Sequence, residues 1–470
     1  MRTAKNAVWL TACRLSGDVL NLVLFVLISR QFGPAGIGVY SYGFAVATFV
    51  FTIGCLGIEE YGIRSYSRMD SARQPVFLGE LLGTQAVMVA LACVGLAIYL
   101  LITAPDLQKL WVVLELTCYQ ITAAAALSLF IPEMSYERMQ YPALAELASR
   151  VVAFSSAGLA IYVFHASLAV ALAGFPLAAL VWTVIAVRSA RGRGPLHVTF
   201  NRSAMSQIGR IIWSFALIEI FGQLFAKAGV IVLSLAVSDA AAGLFATGLR
   251  LVETALVPLG FFGISFYPQL SRLYTNDPVG FRRAAVRLMW AMTLAGMLVA
   301  WGMYFIAPRL LVPVLGERFA AAQTIIQVMS ALALAQAVEA GLGRVLLSAD
   351  RQVPRALFIA AGAVASLGLN IVLAPRYGIN GAIISGVGAY LVINILSLIA
   401  LERPLTLSSL IPLTAMLVLS IVLVVGVVSL LAANGFSAWI QGAVSAGVLL
   451  IAAAAGYIFR HGQTLSTRSS

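Results

Sequence analysis

The sequence predicts an all-α integral membrane protein of about fourteen transmembrane helices. Three observations carry that prediction. Apolar stretches of about 20 residues follow one another from Val8 to Phe459, and 20 residues rising 1.5 Å each cross a hydrocarbon core of about 30 Å. Charged residues make up 10% of the 470 and apolar residues 61%, whereas a soluble protein is roughly 25% charged. The longest polar stretches, residues 188–206 and 269–287, are only loop-sized, and a separate domain needs about 50 residues or more.

The spans read in order as follows. Val8–Phe32 is unusually polar, with Arg14, Asp18 and Asn21 on one helical face through their i, i+4, i+7 spacing. Ile37–Ile58 opens on the glycine-rich block 36–43 and exits through the aromatic and basic residues 61–68. Phe77–Thr103 and Leu107–Ile131 are more uniformly apolar; Glu115 and Gln120 are polar points in the latter. Ala143–Phe164 carries Glu146 and Arg150 near one end, and Leu168–Val187 leads into the basic loop Arg188–Arg202. The second half begins with Ile208–Val237, where Glu219, Gln223 and Lys227 share a face. Ala240–Phe266 follows with Arg250, Glu253, Thr247 and Thr254 on one side, and then come Val286–Ala307, Ala320–Leu347 with Gln336 and Glu339, Ala356–Ala374 with Asn370, and Ile379–Leu401 with Asn394. Leu410–Ala432 and Phe436–Phe459 complete the set. Small residues, as in Gly381–Gly388 and Ala123–Ala126, allow close helix approach where the solvent offers no hydrophobic drive. Pro176, Pro258 and Pro412 lie within or near spans, where a proline can kink or break a helix, and like the small residues they read first as packing and shape.

This order divides as six, six and two. The block Gly36-Ile37-Gly38-Val39-Tyr40-Ser41-Tyr42-Gly43 resembles Ala241-Ala242-Gly243-Leu244-Phe245-Ala246-Thr247-Gly248, and each opens the second span of its half. The expected organisation is a six-helix lobe over residues 1–205, a second over 206–403 and a helix pair over 404–470. The net charge of +12 fits the Arg and Lys enrichment of cytoplasmic loops rather than nucleic-acid binding. Counted alternately, one side of the membrane holds roughly 20 basic residues and the other only Arg30, Lys109, Arg309, Arg318 and Arg376. Both termini are therefore expected in the cytoplasm. Arg14 and Asp18 interrupt the first apolar run, so it does not read as a cleaved signal.

Ionisable groups at membrane depth cost several kcal/mol and generally face a cavity or a partner. Arg14 with Asp18, Glu146 with Arg150, and Arg250 with Glu253 have spacings that permit pairing within a helix, which serves packing as readily as function. Lys227 has no acid within one turn, and Glu219, two turns away, is its nearest in that span. An unpaired lysine in a membrane helix is hard to explain without a cavity or an anion. Arg210, at a span entrance, can snorkel to the head-groups. Glu115, Gln120, Gln336, Glu339, Asn370 and Asn394 serve equally as helix-to-helix hydrogen bonds. Cys13, Cys55, Cys93 and Cys118 have no metal spacing and read as packing residues. No catalytic residue, metal site or cofactor is expected: His pairs, a G-x-S-x-G elbow and a Walker loop are all absent.

Four motifs in order along the chain give this pattern a family. They are residues 29–40 (Ser-Arg-Gln-Phe-Gly-Pro-Ala-Gly-Ile-Gly-Val-Tyr), 315–319 (Leu-Gly-Glu-Arg-Phe), 346–352 (Leu-Leu-Ser-Ala-Asp-Arg-Gln) and 377–382 (Tyr-Gly-Ile-Asn-Gly-Ala). The chain resembles polysaccharide-transport (oligosaccharide/O-antigen) flippases of the multidrug/oligosaccharidyl-lipid/polysaccharide exporter superfamily. That resemblance implies two six-helix lobes around a central, often cationic cavity, with a last helix pair offering a lipid-facing groove. It implies movement of undecaprenyl-pyrophosphate-linked oligosaccharide from the cytoplasmic to the periplasmic leaflet of the bacterial inner membrane, alongside a glycan polymerase. The candidates for meeting such a substrate are Arg14, Asp18, Asn21, Lys227 and Arg250, with Arg210 weaker. Glu219, Gln223 and Glu253, together with Asp18, are candidates for tuning those charges or taking up a proton or sodium ion. A cation-coupled multidrug extruder and a lipid II flippase of the same fold are the alternatives. A membrane enzyme of glycan assembly fits less well, and would point to Asp106, Asp239 or Glu317 in the outward connectors.

Overall fold

The computed structural model describes residues 2–192, 197–401, 440–442 and 444–447. The described residues form α1 (Arg2–Cys55), α2 (Ile58–Tyr66), α3 (Gln74–Thr103), α4 (Leu107–Leu129), α5 (Ile131–Ser135), α6 (Gln140–Tyr162), α7 (Leu168–Leu172), α8 (Gly174–Arg191), α9 (Arg202–Ala236), α10 (Asp239–Asn276), α11 (Pro278–Phe305), α12 (Ala307–Leu315), α13 (Ala322–Ser348) and α14 (Gln352–Leu401). Ten helical stretches among them are long and apolar enough to cross a membrane. The expected span Leu410–Ala432, and most of Phe436–Phe459, lie outside the described residues. Hydrocarbon leaves no alternative to helices here, because it cannot hydrogen-bond an open backbone.

Two helices are far too long for one crossing. α1 has 54 residues and α14 has 50, or about 80 and 75 Å of helix. Each is broken at one glycine: Gly33 (φ 68°, ψ −165°) and Gly378 (φ 58°, ψ −134°). These values belong to a region only glycine occupies without strain. Pro34 then starts the next segment with its φ already helical and no N–H left unpaired. The sequence predicts short connectors at these places; the structure turns the chain within one residue.

Other boundaries differ for similarly local reasons. The stretch 269–287, expected as a loop, is almost all helix: α10 continues to Asn276 and α11 starts at Pro278. Asp277 alone interrupts it, its carboxylate accepting the Gly280 N–H at 2.8 Å as an N-cap. Asn201 caps α9 in the same way through Ser203 and Ala204, so α9 begins six residues before the expected span. The basic loop ahead of it is held to α3. Thr199 N–H donates to the Gly79 carbonyl at 3.0 Å, Asn201 donates to Glu80 at 2.9 Å, and Gly79 and Gly83 lie directly beneath the backbone of 197–199. The four cysteines are free thiols.

Packing separates the chain into two compact units, Met1–Gly243 and Leu244–Ser470. In the first, α1 packs on α4, α6, α9 and α3, and α8 packs on α4 and α6. Its buried apolar clusters include Tyr42, Val46, Val50, Leu96 and Val113 in one group and Ile58, Phe77, Leu81 and Ile131 in another. In the second, α13 packs on α11 and α14 around Phe281, Leu288, Met292 and Leu346. Trp301 of α11 donates to the Gly442 carbonyl at 3.2 Å and to Ser445 at 3.0 Å.

Gly33→Ala and Gly378→Ala are each expected to lower stability by about 1–3 kcal/mol, the cost of forcing a side chain into those dihedrals. Gly95→Ala, on open helical surface, should be neutral or mildly stabilising. Thermal melting of the detergent-purified variants checks the contrast.

Candidate functional site

The first polar face is built on α1. Asp18 accepts from Arg150 of α6 at 3.0 Å, and the same guanidinium bonds Glu146 one turn away at 2.5 Å. Gly17 gives it room: a β-carbon there would lie 2.7 Å from Arg150 Cδ, so any larger residue would push the arginine aside. The expected Glu146–Arg150 pair is thus present, and it reaches a second helix. Asp18 has its partner on α6 at this position, and the Arg14 side chain lies outside the described residues. Among the described side chains this sets one guanidinium against two carboxylates. The Asp18 side chain is 68% exposed, so it retains acceptor capacity toward the surroundings. Asn21 is half-buried on the same helix.

α9 packs against α1 and carries the second polar face. Glu219 is exposed, and Gln223 and Lys227 are half-buried. Lys227 has no hydrogen-bond or ion-pair partner among the described residues, although it lies within the apolar stretch Ala216–Ala236. An ionisable group at membrane depth generally faces a cavity or a partner. Arg210, nearer the start of α9, is exposed.

The second unit contains Arg250 and Glu253 on α10, both half-buried. The spacing permits an ion pair, yet none joins them among the described residues. Glu339 of α13 is instead paired with Arg355 of α14 at 3.1 Å, and Arg355 lies over Gly343 as Arg150 lies over Gly17. Asn394 donates to the Ala335 carbonyl at 3.1 Å, and Gln120, in the first unit, donates to Thr48 at 3.3 Å, so these two act as helix-to-helix bonds. Asn370 bonds back within its own helix to Ser366. Among the described residues no group of three or more His, Cys, Asp or Glu is placed to hold a metal ion.

Reasoning along the sequence missed three partners. Arg150 as a link to Asp18, Arg355 as the partner of Glu339, and Lys109 with Asp239 all join residues far apart in the chain. The helical glycines under the two arginines were the available signal, and their meaning needs the neighbouring helix.

A family model described as "Polysaccharide biosynthesis protein" matches residues 3–274, more than half of the chain. The chain belongs to this family. Solved structures of the MOP superfamily share its fold. The structure titled "Lipid II flippase MurJ, inward closed conformation" superposes with a TM-score of 0.73 at 14% identity, covering 96% of this chain and 99% of that one. An inward-facing multidrug resistance MATE family transporter gives 0.62 at 11% identity, over 83% and 95% of the two chains. The MATE multidrug transporter DinF-BH gives 0.57 at 14% identity, over 86% and 95%. Against curated protein sequences no match is found. This family member is therefore a multi-pass membrane protein with the fold of flippases and transporters.

Arg150→Ala in this protein should destabilise more than Asp18→Asn, because it leaves two carboxylates facing each other. A double-mutant cycle on Asp18 and Arg150, read by thermal melting, should return a coupling on the order of 1 kcal/mol, discounted for the exposure of Asp18.

Proposed function

We propose that this chain is a flippase exporting undecaprenyl-pyrophosphate-linked oligosaccharide from the cytoplasmic to the periplasmic leaflet of the bacterial inner membrane. The family match supports the pathway, and the observation that carries the cargo is Lys227, a membrane-embedded cation left without a counter-charge among the described residues. A lipid-linked sugar brings a bulky polar head that needs water, a pyrophosphate that needs positive charge, and a tail that stays in the bilayer. The candidates for that positive charge are Arg14, Lys227 and Arg250, with Arg210 weaker. Asn21 adds hydrogen bonding. Asp18, Glu219, Gln223 and Glu253 tune those charges or take up a proton or sodium ion.

In this reading the chain has fourteen spans, with six-helix lobes over 1–205 and 206–403, a helix pair over 404–470 and both termini in the cytoplasm. The lobes alternate access to the two leaflets. A glycan polymerase is the natural consumer of the exported unit. An inside-negative potential favours outward movement of each negative charge by about 2.3 kcal/mol per 100 mV, so the potential alone can bias export of a pyrophosphate.

The likeness to MurJ favours a second reading, export of lipid II. It demands the same cationic groups, since it too presents a pyrophosphate on an undecaprenyl tail. A multidrug extruder of cations would instead need acidic and aromatic groups where Lys227 and Arg250 stand.

The test uses purified protein in proteoliposomes carrying an undecaprenyl-pyrophosphate oligosaccharide, scoring transfer between leaflets. Lys227→Ala, Arg250→Ala and Arg14→Ala should each slow transfer by about tenfold or more, the loss of a charged hydrogen bond to phosphate, and Arg210→Ala by less. Transfer of lipid II but not of the oligosaccharide selects the second reading. Efflux of an amphiphilic cation with no lipid transfer rejects both.

A further inference from the structure

The face opposite the arginine-rich connectors carries a contact with internal two-fold character. It lies wholly within the unit Met1–Gly243, where the break in α1, the start of α4 and the turn from α9 into α10 come together. A β-carbon on Gly38 would collide with the carbonyl oxygen of Asp239. One on Gly243 would collide with the carbonyl oxygen of Pro34. Each glycine thus meets the carbonyl four residues ahead of the other. Gly38 and Gly243 are also the third residues of the two matching sequence blocks, so the repeat packs against itself. Backbones this close leave no room for water or for a sugar.

An ion pair sits over this crossing. Lys109, in the first turn of α4, is buried and places Nζ 2.7 Å from Asp239 Oδ1 and 3.5 Å from the Ser234 carbonyl. The ammonium also lies 4.4 Å from the centroid of the Tyr42 ring, within cation–π range. Tyr42 is fully buried, and its hydroxyl is 2.9 Å from that of Tyr99 on α3. The Ser234 hydroxyl donates to the Asp239 carboxylate, and Asp106 caps α4 at the Lys109 N–H at 2.7 Å. Four helices, α1, α3, α4 and α9, and the first residue of α10 therefore converge on one ammonium–carboxylate contact.

We propose that Lys109 and Asp239, seated on the Gly38–Gly243 crossing, form a latch that closes this face of the membrane domain and parts whenever that face opens. The two charges are not equivalent. Asp239 begins α10, where the helix dipole and Ser234 stabilise a carboxylate even without the lysine. Lys109 without Asp239 is a buried cation left with an aromatic face and one carbonyl. Loss of Asp239 must therefore loosen the latch more than loss of Lys109. The latch rests on the alternating access of the proposed reading for its opening, and on the flippase assignment only for what passes.

The experiment reads closure without reference to cargo. In a background with Cys13, Cys55, Cys93 and Cys118 replaced by serine, Val230→Cys places a thiol one turn deeper than Ser234, at a position now 4% exposed. A membrane-impermeant maleimide is applied to vesicles from the face opposite the arginine-rich connectors. Lys109→Met should raise the labelling rate on the order of tenfold and Asp239→Asn further, while Lys109→Arg stays closer to the parent. If Lys109→Met does not purify, Tyr42→Leu removes only the ring beneath the ammonium and must shift labelling the same way by less. Labelling unchanged in monodisperse Lys109→Met, Asp239→Asn or Tyr42→Leu protein overturns the latch. Because no lipid transfer is scored, a wrong substrate assignment leaves either outcome intact.

Discussion

Hydrocarbon cannot hydrogen-bond, and every feature of this protein answers to that constraint. It makes the backbone helical, since each N–H and C=O needs a partner within its own segment. It also makes each embedded charge conspicuous, because such a group must be paired, hydrated or bound. The chain handles its charges in two ways. Some are neutralised across helices, as Arg150 is by Asp18, Arg355 by Glu339, and Lys109 by Asp239. Lys227 and Arg250 have no ion-pair partner among the described residues. In the proposed reading, the unpaired groups are the ones that meet the cargo.

Glycine supports both parts of this scheme. In membranes, helix association depends on close packing rather than on expulsion of water, so the absence of a side chain decides which groups can meet. Gly17 and Gly343 are seats for arginines, and Gly38 and Gly243 let two backbones touch. Gly33 and Gly378 serve a different need, reversing the chain within a single residue. The same residue type thus sets charge pairing, closure and topology, with the role chosen by the neighbouring element.

The charge balance of the candidate site is more mixed than a cationic cradle. The Asp18–Arg150–Glu146 cluster sets one guanidinium against two carboxylates beside a helix whose Lys227 is positive. In the proposed reading, such an arrangement would let the positive groups meet a pyrophosphate while a neighbouring carboxylate takes up a small cation. It also fits a protein whose fold is shared by lipid flippases and multidrug transporters.

The all-helical, multi-span membrane character and the family were legible from the sequence, because hydropathy is a local property and hydrocarbon enforces it segment by segment. Lys227 stood out for the same reason, as a cation with no acid within a turn. The stretch 269–287 misled because its polar composition resembles a loop, while Asp277 as a cap and Pro278 as a first helical residue need only one position to separate two helices. What only the tertiary structure decided is which charges meet. Arg150 finds Asp18 across 132 positions and Lys109 finds Asp239 across 130. No local pattern encodes such a meeting, because it depends on which helices pack together and on glycines whose effect appears only when another backbone or side chain fills the space they leave.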